Sequence, residues 1–358
     1  MIPTLIVTPL LALLLSLLLT PVARKIAISL GLVDKPNQRK VHQNHVPLVG
    51  GIVLFITTVL SLGIALPFQS KSFNLINIFL AGFVMLVMGV LDDRFDIRAS
   101  LKLAIQLVIA HFIFMQGIRI ENLNGLFGVY ELQEWIQYIL TIVVITGVVN
   151  AFNLMDGIDG LAAGLSIVGF SVFTVLSFML DMPNLSLVFL TFVGGLISFL
   201  YFNLSKKRKI FMGDAGSLVI GLILVASSIK MLQAAATTPK FNVTLTLVFL
   251  VMAVPVFDAL RVFRKRIKAG KSPFEADRTH LHHLILSSGL KHAQASLLIT
   301  LFIVTLLVMG YFFFYLTGVL FAISICLTAF FFSTYLLQTL SDMNTWKQRI
   351  KEMEDNEQ

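Results

Sequence analysis

Adjacent carboxylates are the first residues in this chain with the means to do chemistry. Asp92-Asp93-Arg94-Phe95-Asp96 puts three acids within five positions at the end of an apolar run. Neighbouring carboxylates repel, so unless Arg94 offsets both, the pair keeps a proton or binds a cation; the ordinary alternative is a solvated helix end. A second group, Asn150-Ala-Phe-Asn153-Leu-Met-Asp156-Gly-Ile-Asp159-Gly-Leu-Ala-Ala-Gly164, repeats a polar residue at every third position. That spacing predicts one helical face, with Gly157 and Gly160 free to bend the backbone or admit a ligand. Hard oxygen ligands on such a strip suit Mg²⁺, which is held by one or two carboxylates together with substrate phosphates. A structural polar seam between helices is the alternative.

A third group, Phe211-Met-Gly213-Asp214-Ala-Gly216-Ser217, reads as a compact turn whose amides could face a phosphate, with Ser217 expected to cap the following helix. The turn itself holds no Gly-Lys-Ser/Thr, so it is not a Walker loop. The fourth is a basic loop: Arg261, Arg264, Lys265, Arg266, Lys268 and Lys271, then Ser272-Pro-Phe-Glu-Ala-Asp-Arg278-Thr-His280-Leu-His282-His283. The cations by themselves read as a topological and anionic-lipid contact. Without accompanying cysteines, the histidines point away from zinc and towards binding an anion or pyrophosphate. A further segment, Gly31-Leu-Val-Asp34-Lys35-Pro-Asn-Gln-Arg39-Lys40-Val-His42 followed by Pro47-Leu-Val-Gly50-Gly51, has the turn residues and cations of an ordered loop that wraps a substrate. Asp258, after Pro255, is a carboxylate that could join the same site, whereas His111 reads as a satisfied core residue and Cys326 as packing without a disulfide.

Something must position these groups, and composition says what. Of 358 residues, 57% are hydrophobic and 13% charged, against about 45–50% and about 25% in soluble domains. Eleven apolar runs approach the roughly 20 residues that a membrane crossing needs, at 3–20, 47–66, 75–91, 101–117, 135–152, 161–180, 185–202, 218–235, 243–260, 294–314 and 318–338. The last two are divided only by the turn at Tyr315 to Gly318. Short alternating strands are lacking, which sets a β-barrel aside. The expected fold is an all-α integral membrane protein of about 11 transmembrane helices. It comprises one polytopic catalytic domain over residues 1–340 and a polar cytoplasmic tail, frayed, over 341–358.

No basic stretch precedes the first run and Arg24 and Lys25 follow it, so it reads as an anchor with its N-terminus outside rather than a cleavable signal. That orientation places 23 of the 27 Lys and Arg inside, leaving Lys71, Arg119, Lys230 and Lys240 outside. All of the +8 net charge then lies on the inner face. The acidic groups end on that face too. Carboxylates at membrane depth cost about 2.5–3.5 kcal/mol each on insertion scales, so their retention calls for function. Oxygen ligands for Mg²⁺, cations and an opening to lipid together indicate phosphorylated substrates, at least one lipidic.

Asp92-Asp93-Arg94, Asn150 to Gly164, Phe211 to Ser217 and His-Leu-His-His, in that order, resemble the polyprenyl-phosphate N-acetylhexosamine-1-phosphate transferase family (glycosyltransferase 4). Gly-Leu-Val-Asp-Lys-Pro-Asn-x-Arg-Lys-x-His, Pro-Leu-Val-Gly-Gly and Ser-Pro-Phe-x-x-Asp-Arg-x-His-x-His-His are most similar to its undecaprenyl-phosphate N-acetylglucosaminyl branch. The resemblance implies a transfer of GlcNAc-1-phosphate from UDP-GlcNAc to undecaprenyl phosphate, with release of UMP. It further implies a Mg²⁺ cofactor that Mn²⁺ can replace, a multi-pass bacterial inner-membrane location with the site facing the cytoplasm, and a role in O-antigen, common antigen or teichoic acid synthesis. By matched motif, Asp214 is a Mg²⁺ ligand, with Asp93, Asp156 and Asp159 in the metal or nucleotide-phosphate site and Asp92 the candidate general base. Asn153 would orient substrate, Lys102 steady a phosphate, and Arg278, His280, His282 and His283 bind the diphosphate or sugar. Partners are the two substrates and membrane lipids, with no nucleic acid; a homodimer is compatible with the apolar helix faces.

Other sugars, including UDP-MurNAc-pentapeptide, fit the same chemistry. Two rivals differ in class. Asp92-Asp93-x-x-Asp96 also resembles the aspartate-rich motif of Mg²⁺-dependent membrane prenyltransferases, and an ion-coupled transporter would place its carboxylates near the bilayer centre rather than at one face.

Overall fold

The structure, a computed structural model, describes residues 2–34, 45–65, 73–272 and 279–356. It is a helical bundle, α1 (Ile2–Leu30), α2 (Gly50–Ala65), α3 (Phe73–Phe95), α4 (Ala99–Met115), α5 (Glu134–Met155), α6 (Leu161–Met179), α7 (Pro183–Asn203), α8 (Gly213–Ala235), α9 (Phe241–Lys268), α10 (Leu281–Leu286), α11 (His292–Thr317) and α12 (Val319–Asn356). Two small antiparallel pairs interrupt it, β1 (Val33–Asp34) with β2 (Val46–Pro47) and β3 (Asn122–Leu126) with β4 (Val129–Glu131). Nine helices among the described residues are long and apolar enough to cross a membrane. The apolar helices α2 and α4 have 16 and 17 residues, a little under the roughly 20 of a perpendicular crossing. The protein is therefore an all-α integral membrane protein, and each expected run corresponds to one helix, nine of them long and two of them the shorter α2 and α4.

Gly318, at φ 84°, ends α11 where the turn was expected. The stretch from Glu121 to Glu134 contains the β3–β4 hairpin. The tail departs from expectation. Instead of fraying after residue 340, α12 runs on to Asn356, because nothing between Val319 and Asn356 is Gly or Pro and so no residue breaks the hydrogen-bond ladder.

The centre of the bundle is α8, buried over almost its whole length. A helix apolar on every side needs neighbours on every side, and α2, α3, α5, α6 and α9 supply them. The approach of α3 is so close that a Cβ at Gly89 would overlap the backbone of Ala215 and Asp214. Gly89→Ala must therefore separate α3 from α8. Overpacking of this kind costs about 1–3 kcal/mol, so the melting temperature in detergent should fall by several degrees; an unchanged melting curve would contradict this seam.

The two ends of the bundle differ. At one, Gln233 donates to the Gly117 carbonyl, Asn124 of the hairpin to that of Ala236, and Lys240 to that of Met179, tying together the segments at the C-termini of α4, α6 and α8. At the other lie the end of α3, the starts of α4, α6 and α8, and the short α10, with the acidic groups and histidines.

Candidate active site at the N-terminus of α8

The approach to α8 is built by pairing of short segments. Phe211 N–H donates to the Pro47 carbonyl, Gly50 N–H to that of Phe211 and Gly51 N–H to that of Met212, each at 2.9 Å. Pro47 in turn pairs with Val33. The Pro-Leu-Val-Gly-Gly motif, expected in a substrate-wrapping loop, thus holds the turn that starts α8. The rest of that loop, with Lys35, Arg39, Lys40 and His42, lies outside the described residues.

At the turn, Gly213 has φ 73°, and a Cβ there would enter the carboxylate of Asp93. Asp93 accepts the Asp214 N–H at 2.9 Å and the Ala215 N–H at 3.3 Å, so a residue at the end of α3 satisfies the free donors of α8. This corrects the cap expected of Ser217. Ser217 lies one turn inside α8, where its hydroxyl donates to the Gly213 carbonyl at 3.3 Å and accepts from Asn153 Nδ2 at 3.0 Å. Asn153 Nδ2 also donates to Asp214 Oδ1 at 3.0 Å.

Asp92 is buried, accepts the Ile97 N–H at 2.9 Å and forms an ion pair with Lys102. The Lys102 ammonium also lies 3.8 Å from Asp214. Asp156 follows the end of α5. Burial, then the charges of Asp214, Asp93 and Asp159, push its carboxyl well above the ordinary carboxylate range. Asp92, Asp93, Asp156, Asp214, Lys102 and Asn153 therefore share one centre.

The polar strip does not continue as one helical face. Its helix stops at Met155, and a turn through Gly160, at φ 82°, redirects the chain. Gly160 N–H is held by Asn203 Oδ1 at 2.7 Å. Of the four strip residues, Asn150 turns to Gln106, donating at 2.6 Å. Asp159 pairs with Lys209 at 2.6 Å and His292 at 3.4 Å. Burial would raise the Asp159 carboxyl, but these two partners outweigh it and hold the group below its ordinary range. Lys209 and His292 went unrecognised in the sequence because each is an ordinary polar residue far along the chain from the strip.

The histidine loop reaches this turn. His280 Nδ1 is 2.8 Å from Asp258 Oδ2, and Asp258 also binds Arg261 at 2.7 Å. Asp258 thereby joins the site, on the histidine side. His282 is buried against Gly157, where a Cβ would strike its ring. Burial first, and then the neighbouring imidazoles His283 and His280, push it down to about 3, so it is neutral at physiological pH. The His283 ring lies 4.3 Å from that of His282. Arg278 lies outside the described residues. Two other expectations resolve simply. Cys326 is free and buried in the apolar packing, whereas His111 is exposed on α4, meeting Tyr138 Oη at 3.3 Å, and is not a core residue.

Among the described residues no three of His, Cys, Asp and Glu close a metal shell by themselves. Four carboxylates meeting one lysine leave uncompensated negative charge, however, and an open oxygen-donor set of this kind fits Mg²⁺, which takes one or two carboxylates and completes its shell with water and substrate phosphates. It does not fit a closed zinc site.

A family model described as glycosyl transferase family 4 matches residues 75–232, the stretch holding Asp92, Asp93, Lys102, Asn153, Asp156, Asp159 and Asp214. The chain is 33% identical over 297 residues to the undecaprenyl-phosphate α-N-acetylglucosaminyl 1-phosphate transferase of Yersinia pestis, covering 81% of this chain and 79% of that protein. It is also 33% identical over 287 residues to the protein of that name from Escherichia coli K12, covering 78% and 76%.

Proposed function

The chain belongs to glycosyl transferase family 4, and we propose that it transfers GlcNAc-1-phosphate from UDP-GlcNAc to undecaprenyl phosphate, releasing UMP. The observation that carries this reading is the meeting of three acidic segments and Lys102 at the N-terminus of α8, on the same end of the bundle as the histidine cluster. That end faces the cytoplasm of a bacterial inner membrane, where both substrates meet; the distribution of Lys and Arg supports this orientation. The product begins a cell-surface polysaccharide.

An oxygen of the lipid phosphate attacks the phosphorus that bears GlcNAc, a new P–O bond forms, the bond to the UMP oxygen breaks, and UMP leaves. A phosphate monoester has its second pKa at about 6, so the nucleophile is largely a dianion and needs little help from a base. The pairing of Asp92 supports a different role from general base: it holds Lys102, whose ammonium draws the phosphate oxygens between Asp92 and Asp214. Asp214 and Asp156 hold Mg²⁺, or Mn²⁺ in its place, while Asp93 fixes the turn that presents Asp214. The metal, when bound, neutralises charge on the diphosphate. Asn153 orients Asp214, and His282 and His283, with Arg278, serve the diphosphate and sugar.

Purified protein given undecaprenyl phosphate and UDP-GlcNAc should release UMP in step with lipid-linked GlcNAc. Release only with another UDP-sugar would reassign the donor, and pyrophosphate in place of UMP would overturn the reading. Without lipid acceptor, labelled UMP should not exchange into UDP-GlcNAc; exchange would mean an aspartyl-phosphate intermediate rather than direct attack.

A further inference from the structure

We propose that Asp258 is a positioning residue for this transfer, acting through His280: it fixes the imidazole proton on Nδ1 and leaves Nε2 to accept a hydroxyl or amide N–H from the sugar being moved. The proposal rests on the function argued above and assigns one histidine of the cluster to the sugar rather than to the diphosphate.

Asp258 has no exposed surface, and its carboxylate is committed on every side. Oδ1 accepts from Arg261 at 2.7 Å, and both oxygens accept the Leu281 N–H, at 3.1 and 3.2 Å. The same guanidinium nitrogen of Arg261 donates to the Thr279 carbonyl at 2.7 Å. The carboxylate thus ties α9 to the residues on both sides of His280 and fixes where that ring can lie. A carboxylate paired with arginine only accepts, so the 2.8 Å contact with His280 Nδ1 requires the ring to be the donor there.

Charge fixes the other nitrogen. Asp258 and Arg261 already cancel, so an imidazolium would leave this buried trio positive, with the His282 ring stacked parallel at 5.8 Å. With one ring proton, the contact with Asp258 selects the Nδ1–H tautomer. Its Nε2 lone pair is buried and has no partner among the described residues, which is costly unless a ligand supplies a donor. Phosphate oxygens of an ionised diphosphate offer lone pairs and not hydrogens. An N-acetylhexosamine offers hydroxyls and an amide N–H, and these match.

The test is a double-mutant cycle with Asp258→Asn, His280→Ala and both together, read as kcat/KM for UMP release, beside ¹⁵N spectra of histidine-labelled protein without substrate. Asp258→Asn should lower kcat/KM for UDP-GlcNAc by about 10–100-fold, the usual effect of losing a residue that orients a histidine, and leave KM for undecaprenyl phosphate unchanged. In the His280→Ala background the same change should cost less than about twofold, since a residue acting through another has nothing left to position. Multiplying losses would overturn the proposal. So would a wild-type His280 signal, assigned by its disappearance in His280→Ala, that shows the proton on Nε2 or on both nitrogens. The spectra need no turnover. A wild-type protein that releases no UMP would therefore defeat the proposed function while leaving the tautomer assignment to stand or fall by itself.

Discussion

Asp214→Asn is expected to lower the rate of UMP release by about a hundred- to a thousandfold, the scale of losing one preorganised electrostatic contact to a transition state. The substitution is isosteric, and its side-chain carbonyl can still accept from Asn153, which now donates to Asp214 Oδ1 at 3.0 Å. Asp93 remains bonded to the backbone N–H of residue 214, so the start of α8 keeps its cap. Only charge is removed. If that charge holds Mg²⁺, half-saturation should shift to higher Mg²⁺ and excess metal should restore part of the rate. A titration in which the variant keeps full turnover, or loses it with the Mg²⁺ dependence unmoved, removes Asp214 from the metal site.

Lys102→Met should cost about a hundredfold in turnover and also stability. The Asp92 side chain is 2% exposed, and Lys102 is the partner that offsets its charge. Deleting one member of such a pair leaves a desolvated carboxylate, a penalty of about 1–3 kcal/mol, and brings the repulsion between Asp92 and Asp214 into play. Stability and catalysis then separate in the double variant Lys102→Met with Asp92→Asn. Thermal unfolding should return towards wild type, because no buried charge is left unmatched, while UMP release stays low, because the cation that faces the phosphate is still missing. Recovery of both together would make Lys102 a structural residue and remove it from the phosphate site.

Much of the bundle was readable because hydrophobic runs of membrane length admit few folds. Each run became a helix, and even the weak break at Tyr315 to Gly318 marked a real turn. The acidic groups were readable for a related reason: carboxylates at helix ends inside an apolar chain carry a cost that only a function or a partner offsets. What the pattern hid was direction. A repeat of three suggested one helical face, yet α5 ends at Met155: Asn150 turns to Gln106, Asn153 and Asp156 face the Asp214 centre, and Asp159 turns to Lys209. The cap of α8 was misread for the same reason. Ser217 has the right residue type, but Asp93, from a helix more than a hundred residues earlier, arrives first. Such partners are set by helix packing, and no spacing along the chain reports them. His111 is the converse: an apolar span suggested a core position, and the ring instead faces outward beside Tyr138.

The seam at Gly89 makes the active site a gauge of helix register. Asp93 reaches two successive N–H groups of α8 only because α3 lies against that backbone without a side chain between them. A slide of one residue is about 1.5 Å, enough to detach both donors while leaving most of the apolar contact along the two helices in place. Catalytic alignment is thus stiffer than the bundle that carries it, and heat or an ill-matched bilayer thickness can silence the enzyme well before it unfolds.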